Sequence, residues 1–148
     1  MDITLRDVTK HNFDAVCKLH IPDEQQKHLA PNVYSLAEAH YEGDQVRAIY
    51  LADDLEGFMM FGHETEGKIG IWRFMVAYEH QRKGIGRKSL KLAINEISAM
   101  HGIREIEICY SPTNEVAKSL YASVGFHETG VSEVCDDMLA VIKLDSGR

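Results

Sequence analysis

Apolar and polar positions alternate along this chain in short blocks. Ile3 to Asp7 alternates as a half-buried strand does, and Asn12 to His20 sets Phe13, Val16, Cys17 and His20 at helical spacing. Around Pro22 and Pro31 the pattern dissolves, and Ser35-x-x-Glu38 then reads as a capping box opening a short helix through Tyr41. Gln45 to Leu51 and Phe58 to Gly62 are β-prone runs, and the acids and glycine of Ala52 to Gly57 between them predict the turn of a hairpin. A third strand follows at Ile69 to Val76. Beyond the glycines of Gln81 to Gly86, Leu90, Ala93, Ile94, Ile97 and Met100 form a helical stripe, with Lys88, Lys91, Asn95 and Glu96 on the polar side. Glu105 to Tyr110 alternates again. Thr113 or Asn114 can cap a helix over Glu115 to Val124, which Gly125 ends. Two last strands, about Glu128 to Val134 and Met138 to Leu144, meet at the Asp136-Asp137 turn.

This order predicts an α/β (α+β) fold, a mixed central sheet of about seven strands with about four helices packed on it. With 148 residues, scattered single prolines and no repeat or linker, the expectation is one domain over residues 1–148. A hydrophobic share of 45% excludes a disordered chain, and no apolar run approaches the ~20 residues of a bilayer span. The opening Met1-Asp2-Ile3-Thr4-Leu5-Arg6 lacks the basic stub and apolar run of a secretion signal, so the expected location is cytoplasmic, with no membrane partner.

Sixteen basic against 23 acidic residues leave a net charge of -7, which disfavours nucleic acid as a partner and suits a small cationic one. Cys17, Cys109 and Cys135 are odd in number and widely spaced, and read as buried thiols rather than a disulfide framework. The eight histidines form no H-E-x-x-H, so no metal is expected.

Against that acidity, Val76 to Ser89 carries a local sign reversal: a strand feeds the loop Gln81-Arg82-Lys83-Gly84-Ile85-Gly86-Arg87, which opens the strongest helix. First-turn amides have no intrahelical acceptors, and the helix dipole places about half a positive charge there, so such a junction attracts phosphate. Gly84 and Gly86 permit close backbone approach, and Arg82, Lys83 and Arg87 add mobile charge. The G-x-x-x-x-G-K-[ST] loop does not match, since Arg82 stands where it needs glycine. The G-x-G-x-x-G fingerprint fails at Ser89.

Gln81-Arg82-Lys83-Gly84-Ile85-Gly86 resembles the Q/R-x-x-G-x-G/A loop of the GNAT superfamily of acyl-CoA N-acyltransferases. Asn114-x-x-Ala117-x-x-Leu120-Tyr121-x-x-x-Gly125-Phe126 resembles its downstream helix. Leu29 to Ala39 looks like the bacterial spermine/spermidine (diamine) acetyltransferases.

The resemblance implies two strands diverging past Val76 and Tyr110 to leave a wedge for acetyl-CoA. Met75 and Val76 would pair with the pantetheine arm, residues Gln81, Arg82, Lys83, Gly84, Ile85, Gly86 and Arg87 would hold the pyrophosphate, and Asn114, Lys118 and Ser119 would line the far side. It also implies Tyr121 as the acid facing the thiol, against the plainer alternative of a packed core tyrosine beside Leu120 and Val124.

Acetyl transfer to an amine needs a neutral nucleophile, a polarised thioester and a proton for the departing thiolate. Many polyamine acetyltransferases of the superfamily carry acids just before the cofactor-binding valine, where this chain reads Trp72-Arg73. Trp72 could offer a cation–π face, and Glu24 and Glu38, with Glu128, Glu133, Asp136 and Asp137, are candidates for an acidic rim. No general base is assigned. Cys109 reads as an inward strand residue rather than an acyl acceptor. The expected function is acetyl transfer from acetyl-CoA to a primary amine, a polyamine such as spermidine or spermine first. The alternatives are another amine (peptide N-terminus, lysine or small amine) or a non-catalytic CoA-binding domain. The resemblance also allows a homodimer.

Overall fold

The computed structural model describes residues 2–19, 32–77 and 84–144. In chain order the elements are β1 Ile3–Asp7, α1 Phe13–Cys17, α2 Asn32–Glu42, β2 Gln45–Leu51, β3 Asp54–Thr65, β4 Lys68–Val76, α3 Ile85–Ser98, β5 Glu105–Tyr110, α4 Glu115–Ser123, β6 His127–Val131 and β7 Met138–Lys143. That is the predicted order, and the strands form one seven-stranded sheet ordered β1-β2-β3-β4-β5-β7-β6. Every neighbouring pair is antiparallel except β4 and β5, which run parallel because α3 crosses between them.

Helices on both sides bury two apolar faces. One cluster gathers Ile49, Met59, Phe61, Ile69, Ile71, Ile106 and Ile108 under α3 and α4, and the other gathers Ala48, Phe58, Met60 and Met75 under α1 and α2. The α3 stripe supplies Leu90, Ala93 and Ile97, all fully buried. Burying Leu90 or Ile97 stabilises the fold by about 1.5–3 kcal/mol each. Glu96, on the polar side of α3, ties the helix to the sheet through Arg47 of β2 at 2.9 Å.

Several local expectations are corrected. Helix α2 starts at Asn32, so Ser35 is no cap: it lies fully buried inside the helix, and Glu38 reaches Arg73 rather than a backbone amide. The capping-box pattern was matched by a residue small enough to sit against the core. The hairpin turn is only Ala52-Asp53, with Ala52 at φ 52°, and β3 already begins at Asp54, because Leu55 to Gly57 pair with β2. The first helix ends at Cys17, and β6 ends at Val131, leaving 132–137 as the connection to β7 with Asp136 at φ 61°. Cys17 and Cys109 are half-buried and Cys135 is exposed, so the thiols are not uniformly core residues.

Candidate active site

The site follows from one irregularity in β4. Met60 pairs with Arg73 but its neighbour Phe61 pairs with Ile71, so Trp72 is an extra residue in the strand, a β-bulge. The insertion shifts the alternation by one. Ile69 and Ile71 face the α3/α4 cluster before it, and Phe74 and Val76 face the same cluster after it. Trp72, Arg73 and Met75 are left toward α1 and α2.

Beyond the bulge, β4 and β5 part. Their ladder runs from Lys68↔Glu105 to Ile71↔Ile108 and stops, although β4 continues to Val76 and β5 to Tyr110. Each strand turns to its outer neighbour, Val76 opposite Gly57 and Tyr110 opposite Met138. The Ala77 N–H donates to the Glu56 carbonyl at 2.7 Å. Antiparallel alternation therefore spends the peptide groups of Met75 on β3 and directs those of Phe74 and Val76 toward the side β5 has vacated. Gly57 permits this close pairing, since a Cβ there would collide with the Met75 carbonyl oxygen.

Tyr121 bridges the split. Its ring lies 6.4 Å from Phe74 of β4, 5.4 Å from Tyr110 of β5 and 6.1 Å from Phe126, centroid to centroid. Only 8% exposed, it makes no hydrogen bond with a described residue, and burial pushes its hydroxyl far above the ordinary tyrosine value. It is therefore protonated throughout the neutral range, as a donor must be. The competing core role is also visible in these contacts.

At the split's edge, α3 opens on Gly84 in the left-handed conformation (φ 78°), with no side-chain cap and no acid in the first turn. Among the described residues no side chain caps its leading amides and no carboxylate lies in its first turn, which fits an anion. Gly86 packs on Leu120, Phe74 and Val76. Ile85 is buried, and the Arg87 guanidinium reaches the Ser123 carbonyl of α4 at 3.4 Å. Gln81, Arg82, Lys83 and Glu24 lie outside the described residues, as do Pro22 and the first three residues, Leu29 to Pro31, of the stretch that resembled the diamine acetyltransferases.

Of the α4 residues, Asn114 is the cap: its side-chain oxygen accepts from the Ala117 N–H at 3.1 Å. Ser119 is exposed, and the Lys118 ammonium stands 3.9 Å from Glu128. Asn114's side-chain oxygen is thus engaged by the backbone of its own helix.

On the other face, Arg73 donates to Glu38 at 3.1 Å and to the Trp72 carbonyl at 2.8 Å. The Trp72 indole covers Gly70, where any Cβ would strike the ring. Gly62, paired with Gly70, leaves room in the same way for the Asp44 carboxylate. Burial pushes the Asp44 carboxyl above its usual range, and the Trp72 indole N–H pulls it back in part. Cys109 lies on this face too, opposite Ile106, Ile108 and Tyr110. Burial pushes its thiol up to about 11, too high for a nucleophile at neutral pH. Glu133 and Asp136 are exposed in the β6–β7 connection and Asp137 is half-buried there, whereas Glu128 is exposed on β6 and accepts from Tyr110.

Sequence reasoning missed the bulge, the Gly62/Gly70 hollow and Tyr110. Mid-strand glycines are a sign of close approach and could have flagged the hollow. Among the described residues no cluster of three or more His, Cys, Asp or Glu side chains could hold a metal ion, and no helix is long and apolar enough to cross a membrane.

Comparisons with known proteins agree with this geometry. Residues 13–126 match the model of the acetyltransferase (GNAT) family. The spermine/spermidine N(1)-acetyltransferase of Bacillus subtilis (strain 168) is 29% identical over 140 residues, 88% of this chain and 91% of that protein. Among solved structures, the spermidine N-acetyltransferase from Vibrio cholerae in complex with CoA and spermine superimposes with a TM-score of 0.79 at 18% identity, covering 96% of this chain and 95% of that one. An aminoglycoside acetyltransferase in complex with coenzyme A and kanamycin gives 0.82 at 19%, over 96% and 95%. A sheet split bridged by the buried Tyr121, a helix opened by a left-handed glycine and a family match over most of the chain lead to one assignment: this chain belongs to the GNAT family of acetyl-CoA-dependent N-acetyltransferases.

Proposed function

We propose that this enzyme acetylates a primary amine of a small polyamine, spermidine or spermine, using acetyl-CoA, with Tyr121 as the acid at the sulfur. The observation that carries the reading is the end of the β4–β5 ladder at Ile71↔Ile108 with Tyr121 set between Phe74 and Tyr110 just beyond it. Likeness to the Bacillus enzyme over 88% of the chain supports the polyamine, as does a net charge of -7, which favours encounter with a polycation.

When bound, acetyl-CoA supplies a thioester whose carbonyl is attacked by the amine: the C–N bond forms, the C–S bond breaks, and the sulfur leaves with a proton. The peptide groups of Phe74 and Val76 line that path. The leading amides of α3, from Ile85 to Arg87, would hold the diphosphate. Tyr121, kept protonated by burial, would hand its hydroxyl proton to the leaving sulfur and regain one from the attacking nitrogen as the amide forms. The amine must shed its own proton first, since alkylammonium groups ionise near ~10.4.

A second acceptor class is favoured by one feature. The bulge presents Trp72 and the paired Arg73 where carboxylates would suit a polycation better, and this leaves room for a different amine. The deciding experiment is thiol release from acetyl-CoA with spermidine, spermine, an aminoglycoside and an N-terminal peptide in parallel. Release led by the polyamines is expected. Release led by the peptide or aminoglycoside would overturn the polyamine reading, and none with any amine would overturn the catalytic one.

A further inference from the structure

We propose that Tyr110 and Glu128 are a positioning pair for Tyr121: the Glu128 carboxylate holds the Tyr110 phenol, and the Tyr110 ring in turn sets where the Tyr121 hydroxyl stands at the open end of β4 and β5. The inference rests on the acid role of Tyr121 proposed above and adds residues to it.

Tyr121 has no polar anchor among the described residues, so ring contacts alone set its orientation. Phe74 and Phe126 can supply only apolar surface. Tyr110 is the nearest of the three at 5.4 Å, and it alone carries a hydroxyl by which its own ring can be fixed. That hydroxyl donates to the Glu128 Oε2 at 2.6 Å, the length of a charge-assisted O–H···O⁻ bond.

The two residues come from different strands at a place where the sheet is least constrained. Tyr110 is the last residue of β5, past the end of the β4–β5 ladder, and Glu128 lies on the edge strand β6 beside a register shift between Glu128 and Gly130. Among the described residues, β5 in this stretch has β7 as its one strand partner, and the bond adds a tie to β6. The bond also ties β5 to the strand that follows α4, so the helix bearing Tyr121 is fixed from its far end. Lys118, one turn before Tyr121 on α4, faces the same carboxylate at 3.9 Å. Burial and the Glu128 charge together push the Tyr110 hydroxyl well above the ordinary tyrosine value, so it remains a donor over the whole working range.

A merely structural role and a positioning role predict different outcomes. Glu128 is exposed and can be changed without emptying the core. Glu128→Ala removes the acceptor, Glu128→Gln keeps one, and Tyr110→Phe keeps the ring but not its tether. The variants are read two ways: by steady-state kinetics beside thermal melts, and by NMR of protein carrying ¹³C-labelled tyrosine, with the Tyr121 ring signals assigned by Tyr121→Phe.

The expected result is a kcat lowered about 3- to 10-fold by Glu128→Ala and Tyr110→Phe, with KM for acetyl-CoA unmoved and Glu128→Gln close to the parent, the scale of loss a small displacement of a reacting group causes. Tyr110→Phe added to Tyr121→Phe should slow the enzyme no further, and the Tyr121 ring signals should shift in Glu128→Ala but not in Glu128→Gln. Parent-like kinetics in both variants, a full additional loss in the double variant, or unmoved Tyr121 signals would overturn the proposal. If Tyr121→Phe is as fast as the parent, the acid role itself fails, and the ring signals still report whether the pair orients Tyr121.

Discussion

Arg73 and Glu38 join the bulge of β4 to helix α2 by an ion pair of 3.1 Å, with both side chains about three-quarters buried. The guanidinium also donates to the Trp72 carbonyl inside the bulge, so one side chain holds both the irregular strand and the helix above it. A pair placed this way has lost part of its hydration, and deleting one partner strands the other.

Single substitutions Arg73→Ala and Glu38→Ala should each lower stability by about 1–2 kcal/mol, with the double variant losing less than their sum. Urea unfolding of the four proteins measures the coupling. Full additivity would show that the contact is incidental. Arg73→Ala should also lower KM for a polyamine, because it removes a positive charge and releases a carboxylate on the acceptor face.

Tyr121→Phe should reduce kcat by about 10- to 100-fold while calorimetry gives an acetyl-CoA affinity within a few-fold of the parent. Stability should barely change, since the hydroxyl makes no hydrogen bond with a described residue and the ring contacts remain. A variant that binds and turns over normally would return Tyr121 to the core.

Gly84 and Gly86 should respond differently to alanine. Gly84 is in the left-handed region at φ 78°, so Gly84→Ala costs about 1–2 kcal/mol and weakens coenzyme A binding. A Cβ on Gly86 meets Leu120 and Phe74 at 3.5 Å, ordinary contact, so Gly86→Ala should fold at least as stably, helped by better helix propensity. Thermal melts and calorimetry on both variants test the contrast, and equal destabilisation would contradict it.

Glu107 gives a pH signature. It is buried beside Glu64 and Lys68, and burial with the neighbouring Glu64 carboxylate raises its carboxyl above the ordinary glutamate value, although Lys68 at 2.9 Å opposes this. With the folded value above the unfolded one, the folded protein binds the proton more tightly. This group therefore favours folding at low pH and loses that contribution as pH rises through the folded value. Glu107→Gln should then flatten the decline of stability with rising pH above the ordinary glutamate range. Chemical denaturation at a series of pH values checks it, and an unchanged slope would count against the raised value.

Element order was legible because each block carries its own period: the Ile3–Asp7 and Glu105–Tyr110 alternations and the Leu90, Ala93, Ile97 stripe need no knowledge of their partners. The helix-opening glycine and the cap at Asn114 were readable for the same reason, being set by backbone geometry within a few residues. Ser35 marks the limit. The same local pattern serves as a cap or as a small residue inside a helix, and only the sheet beneath α2 selected the second.

Tertiary structure alone decided the rest. Whether Trp72 is a bulge depends on its register against Met60 and Phe61, and where β4 leaves β5 depends on what each strand gains from its outer neighbour. The sequence by itself determined the elements and the chemistry they carry. Pairings across tens of residues decided the split, the Arg73–Glu38 tie and the setting of Tyr121 against Tyr110, because the energy of each lies in contacts that no single segment contains.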